Sequence, residues 1–153
     1  MRRKEKEITD INEIEQILKR AQVCRLALSF KDNPYIIPMN FGYRDNHLYF
    51  HCAREGKKLE IIEENPKVCF EVEVDKELMK GEKGCNCSMK YQSVIGFGIA
   101  SIIDEQLEKV AALDIIMEQY FENKNFNFSP SSVDAVKIIK VEINEMRGKK
   151  SGF

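Results

Sequence analysis

The chain has 153 residues, and its 24 Lys and Arg nearly balance 25 Asp and Glu. That balance argues against a generally basic nucleic-acid binder, so any cationic site must be local. The length suits one domain, residues 1–153, with a core that needs no disulfide staples. The charged start Met1-Arg2-Arg3-Lys4-Glu5-Lys6 leads into no long apolar run. Neither a signal peptide nor a membrane anchor is therefore expected, and a cytoplasmic location is the default. Five cysteines, an odd count without a secretory signal, fit reduced thiols better than a disulfide framework.

Asp10 and Glu13 have the spacing of a capping box, and Ile11, Ile14, Ile17 and Leu18 recur at helical intervals, which predicts a helix from Ile11 to about Ala21. Cys24–Phe30 and Tyr35–Tyr43 read as strands joined by Lys31-Asp32-Asn33-Pro34. After a turn at Arg44-Asp45-Asn46, Leu48–His51 reads as a third. Lys57–Glu64 makes a short helix stopped by Asn65-Pro66, since proline cannot continue it. A strand over Val68–Val74 is followed by Asp75–Met89, read as an irregular loop or short helix, and then by a long strand from Tyr91 to about Ile103. Leu107–Tyr120 is an amphipathic helix with Val110, Leu113, Ile116 or Met117, and Tyr120 on one face. Val136–Ile143 is the last strand, and Met146-Arg147-Gly148-Lys149-Lys150 a basic tail. Six strands, mostly neighbours in sequence, predict a mainly β (α+β) fold: a small antiparallel barrel with flanking helices rather than a doubly wound sheet.

The most informative stretch is Tyr49–Ile62, where an apolar strand runs through Glu55-Gly56-Lys57-Lys58 into a helix. Gly56 lets an anion approach the main chain, the helix supplies its positive dipole end, and the two lysines add full charge. This is the pattern of a phosphate seat, and equally of a solvated basic helix start. Asn33-Pro34-Tyr35-Ile36-Ile37-Pro38-Met39-Asn40-Phe41-Gly42-Tyr43 precedes it, and Tyr91-Gln92-Ser93-Val94-Ile95-Gly96-Phe97-Gly98 follows. In that order the three motifs resemble the FMN-binding split-barrel proteins related to pyridoxamine 5′-phosphate oxidase, and within them the nitroimidazole-resistance (Nim-like) branch. The resemblance runs from about Ile11 to Ile103, more loosely into the final strand.

The resemblance implies a six-stranded antiparallel split barrel, with FMN held at the interface of a homodimer. Lys57 and Lys58 would pair with its phosphate, while His51 and Cys52 would border the ribityl chain or ring. Ile37, Pro38, Met39 and Asn40 would run along the isoalloxazine. Tyr91 and Ser93, two apart and so on one face of a strand, would line the pocket from the second subunit. His51 is the candidate catalytic residue, with a ring able to donate a hydrogen bond to cofactor or substrate near neutral pH, and it equally fits a structural histidine. Pro38 also fits an edge strand or bulge. Gly96-Phe97-Gly98 lacks the third glycine and helix of a dinucleotide fingerprint and marks instead a bend or close backbone approach. Cys85-Asn86-Cys87 is too closely spaced for structural zinc, so no metal is expected. Cys87 stands where Nim-like proteins often carry an aromatic residue.

The function implied is that of an FMN-dependent oxidoreductase of the nitroimidazole reductase-related type, acting on a small molecule, with neither nucleic acid nor membrane as partner. The basic C-terminal substrate motif of the oxidase itself is not matched. The alternative is a non-catalytic flavin- or haem-binding module, or a regulatory dimer of the same fold. His51 and His47 would then be the available histidine ligands.

Overall fold

The computed structural model describes residues 3–122 and 126–153. In chain order its elements are β1 (Glu7–Ile8), α1 (Ile11–Arg20), β2 (Cys24–Phe30), β3 (Asn33–Met39), β4 (Gly42–Arg44), β5 (His47–Ala53), α2 (Lys57–Glu64), β6 (Lys67–Met79), β7 (Ser88–Ile103), α3 (Gln106–Glu118), α4 (Pro130–Asp134) and β8 (Val136–Ser151). All the strands join one antiparallel sheet in the order β3-β2-β6-β7-β8-β5-β4, and β1 pairs with β8. The opposite edges, β3 and β4, are joined only by Asn40 and Phe41. Three Cα–Cα steps span at most about 11 Å, so the strip must curl until its edges nearly meet. The result is the split barrel expected from the sequence, with eight strands instead of six.

The two extra strands have separate origins. β1 is only two residues long, too short to leave a periodic signal. The run Tyr35–Tyr43 reads as one strand but is divided at Asn40–Phe41, where the chain leaves one edge of the sheet and enters the other. This crossing is pinned by Tyr120, whose hydroxyl accepts the Phe41 N–H at 2.9 Å and donates to the Gln22 carbonyl at 2.8 Å. Tyr120→Phe leaves both backbone groups without that partner. We expect a loss of about 1–3 kcal/mol, seen as a lower midpoint of urea unfolding.

Turn chemistry explains the hairpins. Lys31 and Asp32 both take positive φ, as do Asp45 and Asn46, the two-residue geometry that matches strand twist. β3 therefore begins at Asn33, two residues before the expected Tyr35. Its Pro34 and Pro38 sit on an edge strand, where a missing N–H breaks no central ladder. β6 and β8 overrun their expected ends. Residues 75–79 and 88–89 extend the β6–β7 ladder past a bulge between Val74 and Glu77, where Asp75 has φ 56°. The basic segment Met146–Lys150 is no tail; it pairs with β7 from Gly96 to Gln92.

The core lies inside the curl. Leu26, Leu48, Phe50, Phe70, Val72 and Val94 from the strands are fully buried, as are Ile17 and Leu18 from α1. α1 starts at Asp10, whose carboxylate accepts the Asn12 N–H at 2.9 Å, a capping contact. α3 buries Lys109, Ala112, Ile115 and Ile116, a stripe displaced from the expected face. The reason is Lys109: its stem is buried and its ammonium donates to the Val136 carbonyl at 3.1 Å and lies 3.4 Å from Asp104, whereas the periodicity reading gives lysine to solvent.

Candidate functional site

The strand-to-helix turn after β5 is built as its sequence suggests. Gly56 sits at φ 138°, and a Cβ placed on it would meet nothing within 4 Å. The position needs glycine for its backbone, and it opens onto space. The Gly56 carbonyl accepts from Leu59 and Glu60, leaving the N–H groups of the first helical residues outside the helix ladder. Among the described residues, side-chain oxygens cap α1, α3 and α4 at Asp10, Glu105 and Ser129, but none caps α2. Two lysines at this positive end raise its potential further. The donor set thus fits a phosphate dianion.

This seat lies at the split. The Lys57 ammonium stands 4.9 Å from the ring centroid of Tyr35 on β3, one edge of the sheet. Lys58 lies on the side of Cys52, at the end of β5 beside the other edge. Burial pushes the Cys52 thiol up, and the charges of Lys58 and Lys137 oppose that rise. Lys137 faces Cys52 across the β5–β8 ladder, and its carbonyl is 3.6 Å from the Cys52 sulfur. Arg54 is engaged elsewhere, donating to the Asp134 carbonyl at 2.6 Å and to Asp104 at 3.3 Å.

Strand alternation divides the remaining candidates between two faces. Ile37 and Met39 pack on the core and Cys52 is buried in it, whereas Pro38, Asn40 and His51 are exposed. A ligand over the outer face would meet the side chains of Pro38 and His51 and only the backbone of Ile37, Met39 and Cys52. His47 shares the outward parity of His51, and its Nδ1 contacts the Asp45 carbonyl at 2.6 Å.

Tyr91 and Ser93 share the outer face of β7, as their spacing requires. They stand opposite Ser151 and Lys149, and the Lys149 ammonium lies 5.4 Å from the Tyr91 ring. Ser93 borders a groove of about 200 Å3 with Ile95, Phe97, Met146 and Arg147. The Tyr91 and Ser93 end is not brought to the Lys57 and Lys58 end within one chain. Along β8, Lys149 marks the Tyr91 and Ser93 end and Lys137 the Lys57 and Lys58 end, and twelve residues of strand make about 40 Å of contour at about 3.3 Å each.

The outer face between these ends is apolar in the middle. Ile95, Phe97 and Ile99 are 47%, 49% and 39% exposed on β7, next to Cys69 and Ala27 in register and Ile36, 62% exposed, on β3. An ionic row borders it: Arg25 reaches Glu71 at 3.0 Å and Glu73 at 3.1 Å. Burial raises the Glu71 carboxyl above its ordinary range against the pull of Arg25, and the Lys76 hydrogen bond lowers that of Glu73. Tyr35 and Lys137 escaped the sequence reading as site residues because each joins the site through long-range strand pairing or packing, and Lys149, read there as part of a basic tail, takes its place beside Tyr91 only through the β7–β8 register. Among the described residues, no group of three or more His, Cys, Asp or Glu is placed to hold a metal ion. No helix among the described residues is long and apolar enough to cross a membrane.

A curled antiparallel sheet with flanking helices is the architecture of the split-barrel proteins. The profile of the pyridoxamine 5′-phosphate oxidase family matches residues 10–150, and the chain belongs to that family. The match continues through β8. A candidate 5-nitroimidazole antibiotic resistance protein of Bacteroides thetaiotaomicron is 36% identical in sequence, with a TM-score of 0.83 over 94% of this chain and 86% of that one. The FAD- and haem-binding protein of Mycobacterium smegmatis superposes with a TM-score of 0.85 over 97% of this chain and 74% of that one, at 18% identity. At that identity the likeness concerns the fold alone. An uncharacterized protein of Rhizobium meliloti is 30% identical over 60 residues, which span 39% of either chain.

Proposed function

We propose that this protein binds FMN between two copies of the chain and acts as a small-molecule oxidoreductase related to the nitroimidazole reductases. The observation that carries the reading is the start of α2: uncapped among the described residues, opened by Gly56 and flanked by Lys57 and Lys58. A phosphate there would accept the first-turn N–H groups and draw on both ammonium charges. When bound, the flavin would supply the redox chemistry. The chain's own part is to hold the phosphate, lay Pro38 and His51 along one side, and keep water off the apolar outer face. Family membership and the likeness to the Bacteroides protein support this reading.

The distance along β8 supports the shared site. Since one chain holds its lysine seat and its Tyr91–Ser93 pair at opposite ends of that strand, only a second copy can bring both to one small ligand. The stripe of Ile36, Ile95, Phe97 and Ile99 supplies apolar area for such a contact. Phe97→Glu places a charge in it, and sedimentation equilibrium is expected to shift from dimer to monomer with loss of bound flavin. A wild-type monomer carrying one FMN per chain would remove the shared site. For the cofactor, the absorbance spectrum of the desalted protein and the mass of the molecule released by heat decide. FMN is expected; a Soret band, FAD, or a colourless protein that takes up no added FMN would each overturn the assignment.

A further inference from the structure

We infer that Cys85 and Cys87 form a reversible dithiol–disulfide couple at the tip of the β6–β7 hairpin, a modification site that does not depend on the flavin reading. The five thiols fall into two groups. Cys24 and Cys52 are buried and Cys69 half-buried in strands, and burial pushes the thiol of each above its usual range, which lowers its reactivity. Cys85 and Cys87 are exposed.

The loop that carries them is folded. β6 and β7 part after the Met79–Ser88 pair, and Gly84–Asn86 makes a 3-10 turn held by Asn86 N–H to the Lys83 carbonyl at 2.8 Å and Cys87 N–H to Gly84 at 3.3 Å. Gly81 folds back on it so closely that a Cβ there would lie 2.5 Å from the Asn86 Cβ. The Gly81 N–H then points at the Cys87 sulfur, 3.5 Å away. The Cys85 sulfur lies 3.5 Å from the Asn86 side-chain oxygen.

This turn sets the distance that matters. The separation of the Cα atoms of residues 85 and 87 depends on the backbone of Asn86, and 3-10 geometry makes it about 5–6 Å. Disulfides span about 4.4–6.8 Å between Cα atoms. The turn aims the two Cβ atoms apart, so closing the bond also requires the Asn86 backbone to shift with both side chains, and the resulting strain makes the bond easily reduced. Lys80, Lys83 and Lys90 outnumber Glu82 around the loop, which favours approach of an anionic disulfide such as oxidised glutathione.

The exchange is balanced. One cysteine thiolate attacks the external disulfide and expels one thiolate, giving a mixed disulfide. The second cysteine, deprotonated, attacks the protein sulfur of that bond and expels the other. Two electrons pass from the cysteines to the external disulfide, and the two protons released leave it as two thiols. The Cys85–Cys87 bond closes a small ring around Asn86, four residues before Tyr91.

The test uses the reduced full chain equilibrated with mixtures of reduced and oxidised glutathione, quenched in acid, and read by intact mass and peptide mapping. The expected product is lighter by two hydrogens, carries no adduct, and has lost alkylation at Cys85 and Cys87 alone. Cys85→Ser and Cys87→Ser, both exposed substitutions, should each retain one glutathione on the remaining thiol. The inference is overturned if the wild type keeps both thiols alkylatable in excess oxidised glutathione, holds a lasting mixed disulfide, or pairs either cysteine elsewhere.

Discussion

Replacing Lys57 and Lys58 together by alanine is expected to weaken FMN binding by about 100-fold or more while leaving the fold of the apoprotein intact. Hydrogen bonds to a charged group contribute about 1.5–3 kcal/mol each, so losing two such partners from one phosphate costs about 3–6 kcal/mol. Stability should move the other way, if at all. Both lysines stand at the positive end of α2, which has no side-chain cap among the described residues, where a like charge is unfavourable by about 0.3–1 kcal/mol. Titration of FMN by fluorescence quenching, beside a thermal melt of the cofactor-free protein, separates the two effects. Unchanged affinity would sink the phosphate assignment. The single variants should differ, because Lys57 rests on Tyr35 whereas Lys58 acts on the side of Cys52. Only Lys57→Ala removes a contact with β3.

What the sequence makes legible here is local, and what it hides is pairing. Gly56-Lys57-Lys58 announces a strand-to-helix turn because each residue carries its meaning alone: a positive φ, a charge, a helix start. Asp10, Pro38 and Asn65-Pro66 are readable for the same reason. The division of Tyr35–Tyr43 at Asn40 is not, since nothing in Met39-Asn40-Phe41-Gly42 states that the two halves pair with opposite edges of a sheet. The clamp on that crossing comes from Tyr120, distant in sequence. Lys137 likewise reads as one residue of an alternating strand, and it gains its place beside Cys52 only through the β5–β8 register. The basic segment at Arg147–Lys150 illustrates the converse error. Its charge suggests a solvated tail, yet pairing with β7 sends Arg147 and Lys149 to the outer groove, while Lys150 lies 3.9 Å from Glu13 of α1.

A large effect on stability is expected at Gly96. Its strand alternates Val94, Gly96, Gly98 and Ala100 toward the core, and in the register of β6 and β7 Gly96 stands opposite Phe70, which is fully buried. A methyl group at Gly96 would overlap the Phe70 ring and come within 2.8 Å of the Glu145 carbonyl. The ring has no room to withdraw in a packed core, and the carbonyl belongs to a paired strand, so the strain has to be spread through the backbone. Overpacking of this kind costs about 1–3 kcal/mol, and with a backbone atom among the obstacles the upper end is expected for Gly96→Ala. That corresponds to a fall of about 6–12 °C in Tm for a chain of this size. Phe70→Leu should be destabilising alone, by loss of buried volume, yet partly rescue Gly96→Ala by vacating the space the methyl needs. A coupling of at least about 1 kcal/mol in the double-mutant cycle is the expected result. Strict additivity would mean that the Glu145 carbonyl, not the ring, is what demands glycine, and Gly96 would then be explained by the approach of β8 and not by the packing of the core.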